Sequence, residues 1–185
     1  MSVRRWIVAA GGLVAGLGIF GFLLGAWGES GGPGTGMEAL EMPAPAIAFE
    51  TLEGERVSVA DYRGQVLLLN FWGTWCPPCR REIPELVELQ EALARAGGTI
   101  IGVAVESGSP QEIRDFTAKF QVNYPIWISD AQKALANYDA MGYPFTLLID
   151  EAGIVRREYL GPQTAASLAR DIETFTDLSL SFAGS

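Results

Sequence analysis

The chain predicts an α/β domain, a mixed central β-sheet flanked by helices, carried behind an N-terminal transmembrane anchor. Three observations carry that expectation. Short apolar runs alternate with longer stretches patterned at three- and four-residue spacings. The run Val66-Leu67-Leu68-Leu69-Asn70-Phe71-Trp72 is nearly continuous and reads as a strand buried on both faces. An uncharged stretch, Trp6 to Trp27, stands ahead of everything else. With 185 residues, 49% hydrophobic and 19% charged, the chain suits one domain of about 140 residues plus an extra segment.

The 22 residues from Trp6 to Trp27 would span roughly 33 Å as a helix at ~1.5 Å per residue, enough for a bilayer core. Arg4 and Arg5 before it and Glu29 after it place the N-terminus in the cytoplasm and the rest outside. A cleaved signal peptide is the competing reading, with Ala26-Trp27-Gly28 as the small-x-small site. The apolar run is longer than the usual ~7–15-residue signal core, which favours the anchor. Residues 1–28 are therefore expected to form the signal anchor and 29–45, rich in Gly and Pro, a flexible linker. A globular domain is expected over 46–177 and a tail over 178–185.

Within the domain, Ile47–Leu52 and Arg56–Val59 flank Glu53-Gly54 and predict a hairpin. After the buried strand, Ile83, Leu86, Val87, Leu89 and Leu93 mark a helix from about Pro77 to Ala96, which Pro84 should kink. Thr99–Val105 reads as the next buried strand. Ser109-Pro110-Gln111-Glu112 supplies an N-cap, a first-turn proline and a capping-box glutamate for a helix to about Phe120. Asp130 or Ser129 caps a shorter helix through Tyr138. Phe145–Ile149 and Ile154–Tyr159, split by Glu151-Ala152-Gly153, predict an antiparallel pair, and Leu168, Ile172 and Phe175 one face of a last helix capped by Thr164.

Composition removes several classes of function. A net charge of −9 argues against nucleic acid as a partner. The absence of histidine removes Ser-His-Asp and Cys-His hydrolysis and every histidine-ligated metal site. The two cysteines, three positions apart, would close a ring too small to staple a fold, and two thiolates alone do not make a structural zinc site.

Trp75-Cys76-Pro77-Pro78-Cys79 instead lies where a buried strand meets a helix. The helix N-terminus offers unpaired N–H groups and partial positive charge, which lower the pKa of a thiol at Cys76. Pro77 fits the first turn. Cys76 is then the exposed attacking sulfur and Cys79, one turn along and more buried, the resolving one.

Read from Arg63-Gly64 through Pro84, the pattern Gly-x-Val-(apolar)3-Asn-Phe-Trp-x-Thr-Trp-Cys-x-Pro-Cys-Arg-x-Glu-x-Pro resembles the thioredoxin-like TlpA, ResA and DsbE (CcmG) family. Ala44–Phe49 and Gly142-Tyr143-Pro144-Phe145-Thr146 also look like that family, so the likeness covers about residues 43 to 176. It implies a thioredoxin-like fold and a single-pass protein of the bacterial inner membrane, with its catalytic domain on the periplasmic or extracytoplasmic side. It further implies reduction of selected disulfides in client proteins, apocytochrome c among them, and a membrane electron donor of the DsbD or CcdA type. No cofactor is implied.

By the same likeness, Pro144 matches a cis-proline opposite the cysteine pair that presents backbone groups to a client. Asn70 stands where thioredoxin keeps a buried aspartate. Glu82 and Glu106 match two acidic positions, Glu82 being tied to thiol acid–base balance. Trp75 is expected to shield the disulfide and touch substrate. Tyr143 is a bulky departure before the proline, and the Pro77-Pro78 pair leaves the reduction potential unspecified.

Two rivals stay open. A thiol peroxidase would want Pro-x-x-x-Thr-x-x-Cys, whereas Phe71-Trp72-Gly73-Thr74-Trp75-Cys76 lacks the proline and sets the threonine too close. A copper-delivery module for assembly of a respiratory oxidase could use two thiolates for Cu(I), but no methionine or histidine neighbours them in sequence.

Overall fold

The computed structural model describes residues 41–182; the anchor expected over 1–28 and most of the linker lie outside them. Among the described residues, no helix is long and apolar enough to cross a membrane.

The strands are β1 (Met42–Pro43), β2 (Phe49–Thr51), β3 (Arg56–Val57), β4 (Leu67–Trp72), β5 (Thr99–Val105), β6 (Ile126–Ser129), β7 (Phe145–Ile149) and β8 (Ile154–Leu160). The helices are α1 (Pro77–Ala96), α2 (Pro110–Lys119), α3 (Ala131–Tyr138) and α4 (Ala165–Phe175), with a 3-10 turn over Val59–Tyr62. One mixed sheet runs in the order β1-β8-β7-β4-β5-β6-β2-β3. β4 lies in the middle, antiparallel to β7 and parallel to β5, with Asn70 opposite Thr146 on one side and Gly102 on the other. All six of its residues are buried, as its continuous apolar pattern requires.

Side chains alternate across β4. Leu68 and Trp72 join a core that includes Leu86, Leu89 and Leu93 of α1, Ile113 of α2, and Leu168 and Ile172 of α4. Leu67, Leu69 and Phe71 join the opposite core with Phe49, Trp127, Phe145, and Ala134 and Tyr138 of α3.

The helix ends follow local chemistry. Ser109 and Glu112 form the capping box of α2, and Asp130 and Thr164 accept from Lys133 N–H and Ser167 N–H to cap α3 and α4. α1 ends at Gly97, whose φ of 95° is the left-handed conformation glycine adopts without a Cβ penalty. Pro84, expected to kink α1, sits on its exposed side, and the helix continues through it.

Three features go beyond what the sequence reading contains. The linker ends before residue 45, because Met42 and Pro43 pair with Val155 and Ile154 of β8; proline is tolerated there because β1 is an edge strand. β6 carries no sequence assignment, since four residues after Tyr124-Pro125 carry too little pattern to stand out. Its identity comes from pairing with β5 and β2. The tail from 178 is docked as far as the described residues go. Leu178, Leu180 and Phe182 pack on the α1–α4 core, and Arg95 Nη2 donates to Ser181 O at 2.7 Å.

Candidate active site

The turn after β4 is built to deliver Cys76 to the head of α1. The Trp75 ring lies over Gly73, where a Cβ would come within 2.6 Å of the indole and force it aside. Trp75 Nε1–H donates to Val105 O at 3.1 Å, and Thr74 N–H donates to Ser107 Oγ at 3.1 Å. Arg80 closes the turn from the other side, its Nε–H donating to Thr74 O at 2.9 Å. Cys76 is the N-cap of α1, with Pro77 and Pro78 in the first two helical positions. Those prolines have no N–H, so the first available donor is that of Cys79, and it points at Cys76 Sγ over 3.3 Å.

Cys76 and Cys79 are joined in a disulfide, with Cα atoms 5.4 Å apart. The expectation of an exposed Cys76 and a buried Cys79 is corrected: they are 3% and 1% exposed. Capping turns the Cys76 sulfur in toward the helix, among the apolar side chains of the α1-side core.

One turn beyond Cys79, Glu82 is 1% exposed. Its Oε2 accepts from Asn70 Nδ2 at 3.1 Å and its Oε1 from the Gln163 backbone N–H at 2.8 Å. Asn70 also donates to Thr146 Oγ1 at 2.8 Å across the β4–β7 pairing. Burial pushes the Glu82 carboxyl up to about 7, and the Gln163 and Asn70 donors pull partly against it. A carboxylate held near neutrality one turn from a cysteine can accept or return a proton at physiological pH. Tyr124, buried beside it, is pushed up by burial and then by the Glu82 charge, so its hydroxyl stays protonated.

The Tyr143–Pro144 peptide bond is cis. Pro144 is buried, and its carbonyl accepts from Gly161 N–H at 2.9 Å. Tyr143 meets Trp75 edge to face, ring centroids 5.6 Å apart, and packs against the cluster that contains both cysteines. Trp75 is half exposed and Met141 and Leu160 are more so, giving this side an apolar surface. Pro77 is exposed and Pro78 partly buried.

Glu106 is not drawn into the buried network. It is exposed, adopts φ 47°, and its Oε1 accepts from Ala131 N–H at 3.1 Å at the start of α3. Its charge acts on Tyr143, whose phenol is pushed up by burial first and by Glu106 second.

Sequence reasoning missed Gln163, Thr146, Ser107 and Tyr124. Gln163 acts through its backbone N–H, which leaves no signature in residue type. Thr146 is recognisable only once its register opposite Asn70 is known.

Residues 40–158 match the AhpC/TSA family model. The chain is 35% identical over 137 residues to the thiol-disulfide oxidoreductase ResA of Geobacillus kaustophilus, covering 74% of this chain and 78% of that protein. It is 33% identical over 131 residues to the thioredoxin-like protein YneN of Bacillus subtilis, covering 70% and 76%. Among solved structures, a DsbF homologue from Corynebacterium diphtheriae is 30% identical with a TM-score of 0.63, over 83% of this chain and 99% of that one. A thiol:disulfide interchange protein of the thioredoxin family from Chlorobium tepidum is 28% identical with a TM-score of 0.64, over 75% and 98%. With this fold and a cysteine pair at the head of α1, the chain belongs to the AhpC/TSA family as a thioredoxin-like thiol–disulfide oxidoreductase of the ResA kind.

Proposed function

We infer that this protein reduces selected disulfides in exported proteins, with apocytochrome c before haem attachment as one client class. The observation that carries the reading is the Cys76–Cys79 pair at the head of α1 with the buried carboxyl of Glu82 one turn away. In the dithiol form the Cys76 thiolate, favoured by the helix N-terminus, attacks a client sulfur. A mixed disulfide forms and one client thiolate leaves. Glu82 takes the Cys79 proton, the Cys79 thiolate attacks Cys76 Sγ, and the second client thiolate leaves. The client has gained two electrons, and the Cys76–Cys79 disulfide is closed. A membrane donor of the DsbD or CcdA type returns the two electrons. Trp75, Tyr143 and Pro144 form the client-facing side, and Cys76 must swing out from under it to react.

The decisive experiment is a Cys79→Ala chain, which cannot resolve the mixed disulfide. It should accumulate covalent adducts whose partners identify the clients. Recovery of adducts containing no cytochrome c precursor would refute that client class.

The reading also places the domain outside the cytoplasm, held by residues 1–28 in the bacterial inner membrane. The full chain should fractionate with membranes, and a shortened chain beginning just before Met42 should be soluble and redox-active. A mature N-terminus at Glu29 in the soluble periplasm would establish the cleaved signal instead.

The AhpC/TSA match gives the thiol peroxidase a hearing. Against it, the Thr74 hydroxyl donates to Ser107 O at 3.3 Å, so it is directed toward the β5–α2 loop. Peroxide consumption at a rate matching disulfide reduction would reverse the ranking.

A further inference from the structure

The segment between β8 and α4 touches both working parts of the site. Gly161 N–H donates to Pro144 O at 2.9 Å, and two residues on Gln163 N–H donates to Glu82 Oε1 at 2.8 Å. Two residues further, Ala165 N–H donates to Glu85 Oε2 at 2.9 Å, fixing the start of α4 to α1. Between the first two contacts stands Pro162, whose φ is fixed by its ring. The Gln163 side chain braces the same piece: its Nε2 donates to Gly161 O at 3.1 Å and its Oε1 accepts from Ser167 Oγ at 3.4 Å. A short stiff run of backbone is thus tied to the cis-proline loop at one end and to the buried carboxylate at the other.

We propose that residues 161–163 are a positioning strap that holds the Glu82 carboxylate through the Gln163 N–H and links its protonation to client docking along the Pro144 loop. The inference rests on the role given to Glu82 and Pro144 under the proposed function.

The physical basis is the donor balance at Glu82. Both hydrogen-bond partners, Asn70 Nδ2 and Gln163 N–H, are donors, so both favour the charged carboxylate and oppose the effect of burial. Among the described residues, the titratable groups nearest it are Cys79 on α1 itself, Tyr124 from the segment before β6, and Glu85 one turn on; Thr146 from β7 is uncharged. A client chain that shifts the Pro144 carbonyl pulls on Gly161, and through Pro162 on the Gln163 N–H. Changing that bond changes the proton affinity of Glu82. By linkage, the protonation state of Glu82 changes the affinity for the client equally.

The test compares Gln163→Pro, which removes the N–H, with Gln163→Ala, which keeps it. The Glu82 carboxyl is titrated by carbon-13 NMR in the disulfide form, where no thiol ionises. The Gln163→Pro midpoint should lie higher by roughly one pH unit; coincident midpoints overturn the strap. Should Gln163→Pro fail to fold, the wild-type Gln163 amide proton serves. It must titrate with the Glu82 midpoint, and a flat response overturns the proposal.

Docking is probed in a Cys79→Ala chain, with Cys76 bonded either to methanethiol or to a neutral Ala/Ser decapeptide carrying one cysteine. The two adducts should give different Glu82 midpoints, and identical midpoints overturn the link. Failure of the underlying reading looks different. If Glu82→Gln keeps the wild-type pH–rate profile, Glu82 is not the proton carrier. If that profile changes while Gln163→Pro and Gln163→Ala titrate alike, only the strap is wrong.

Discussion

On one face of the sheet Leu67, Leu69 and Phe71 meet a continuous aromatic packing. Phe49 stacks on Trp127 with centroids 5.3 Å apart, and Phe71 lies 5.2 Å from Tyr138 and 6.1 Å from Phe145. On the other face the same strand presents Leu68, Asn70 and Trp72, and there the interior holds a disulfide and a buried carboxyl. A buried acid opposes folding when it ionises, whereas a packed aromatic favours it without condition. The first face therefore stabilises the fold at every pH, whereas the second combines an apolar core of its own with a group whose ionisation opposes folding.

The strongest way to break this contrast is at the sulfurs. Cys76→Ser should abolish reduction of insulin or a small disulfide, while Cys79→Ser should stall as mixed disulfides, since only the helix-capping sulfur starts exchange. Alkylation of the reduced protein with iodoacetamide checks the order; first reaction at Cys79 would reverse the two roles.

The converse holds on the aromatic face. Phe49→Ala should lower stability by about 3–5 kcal/mol by denaturant titration, because a fully buried ring is removed. Exchange rates measured where the variant is still folded should match the wild type. A rate loss as large as the stability loss would mean the two faces are not separable.

Glu82 sharpens the contrast through pH. Its carboxyl holds its proton up to about 7 in the folded chain, against an ordinary value of 4.5, so the folded state binds more protons than the unfolded state between those values. Stability therefore falls as pH rises from about 4.5 to about 7 and levels off above, by an amount on the order of 3 kcal/mol. Glu82→Gln should flatten that part of the stability–pH curve, slow disulfide reduction several-fold and alter its pH dependence. A slope in the variant equal to the wild type would place the proton elsewhere.

The smallest effect is expected at the other acidic position. Glu106→Gln weakens only an exposed contact to the first N–H of α3. Melting should move slightly, and the pH–rate profile should not move at all. A shifted profile would show that the Glu106 charge acts on the thiols through Tyr143.

Much of this was legible in the residues. The limits of α1 and β5 follow from apolar spacing and a capping position, and the cysteine pair from its place between a buried strand and a helix. Glu82 could be singled out as one helical turn from Cys79, but spacing alone places Cys76, Cys79 and Glu82 on a helix without saying what covers them. The short strands β1 and β6 were not legible, because two to four residues carry no period; partners in β8, β5 and β2 define them.

Local sequence determined the reactive motif, since helix capping, proline placement and strand burial act within a few residues of one another. Only the tertiary structure decided how that motif is tuned. The burial that raises the Glu82 carboxyl depends on β4, α1 and the start of α4 closing over it. The donors that oppose burial come from residues 12 and 81 positions away along the chain. One of those donors is a backbone N–H, which nearly every residue type possesses, so its role is set by where the fold brings it.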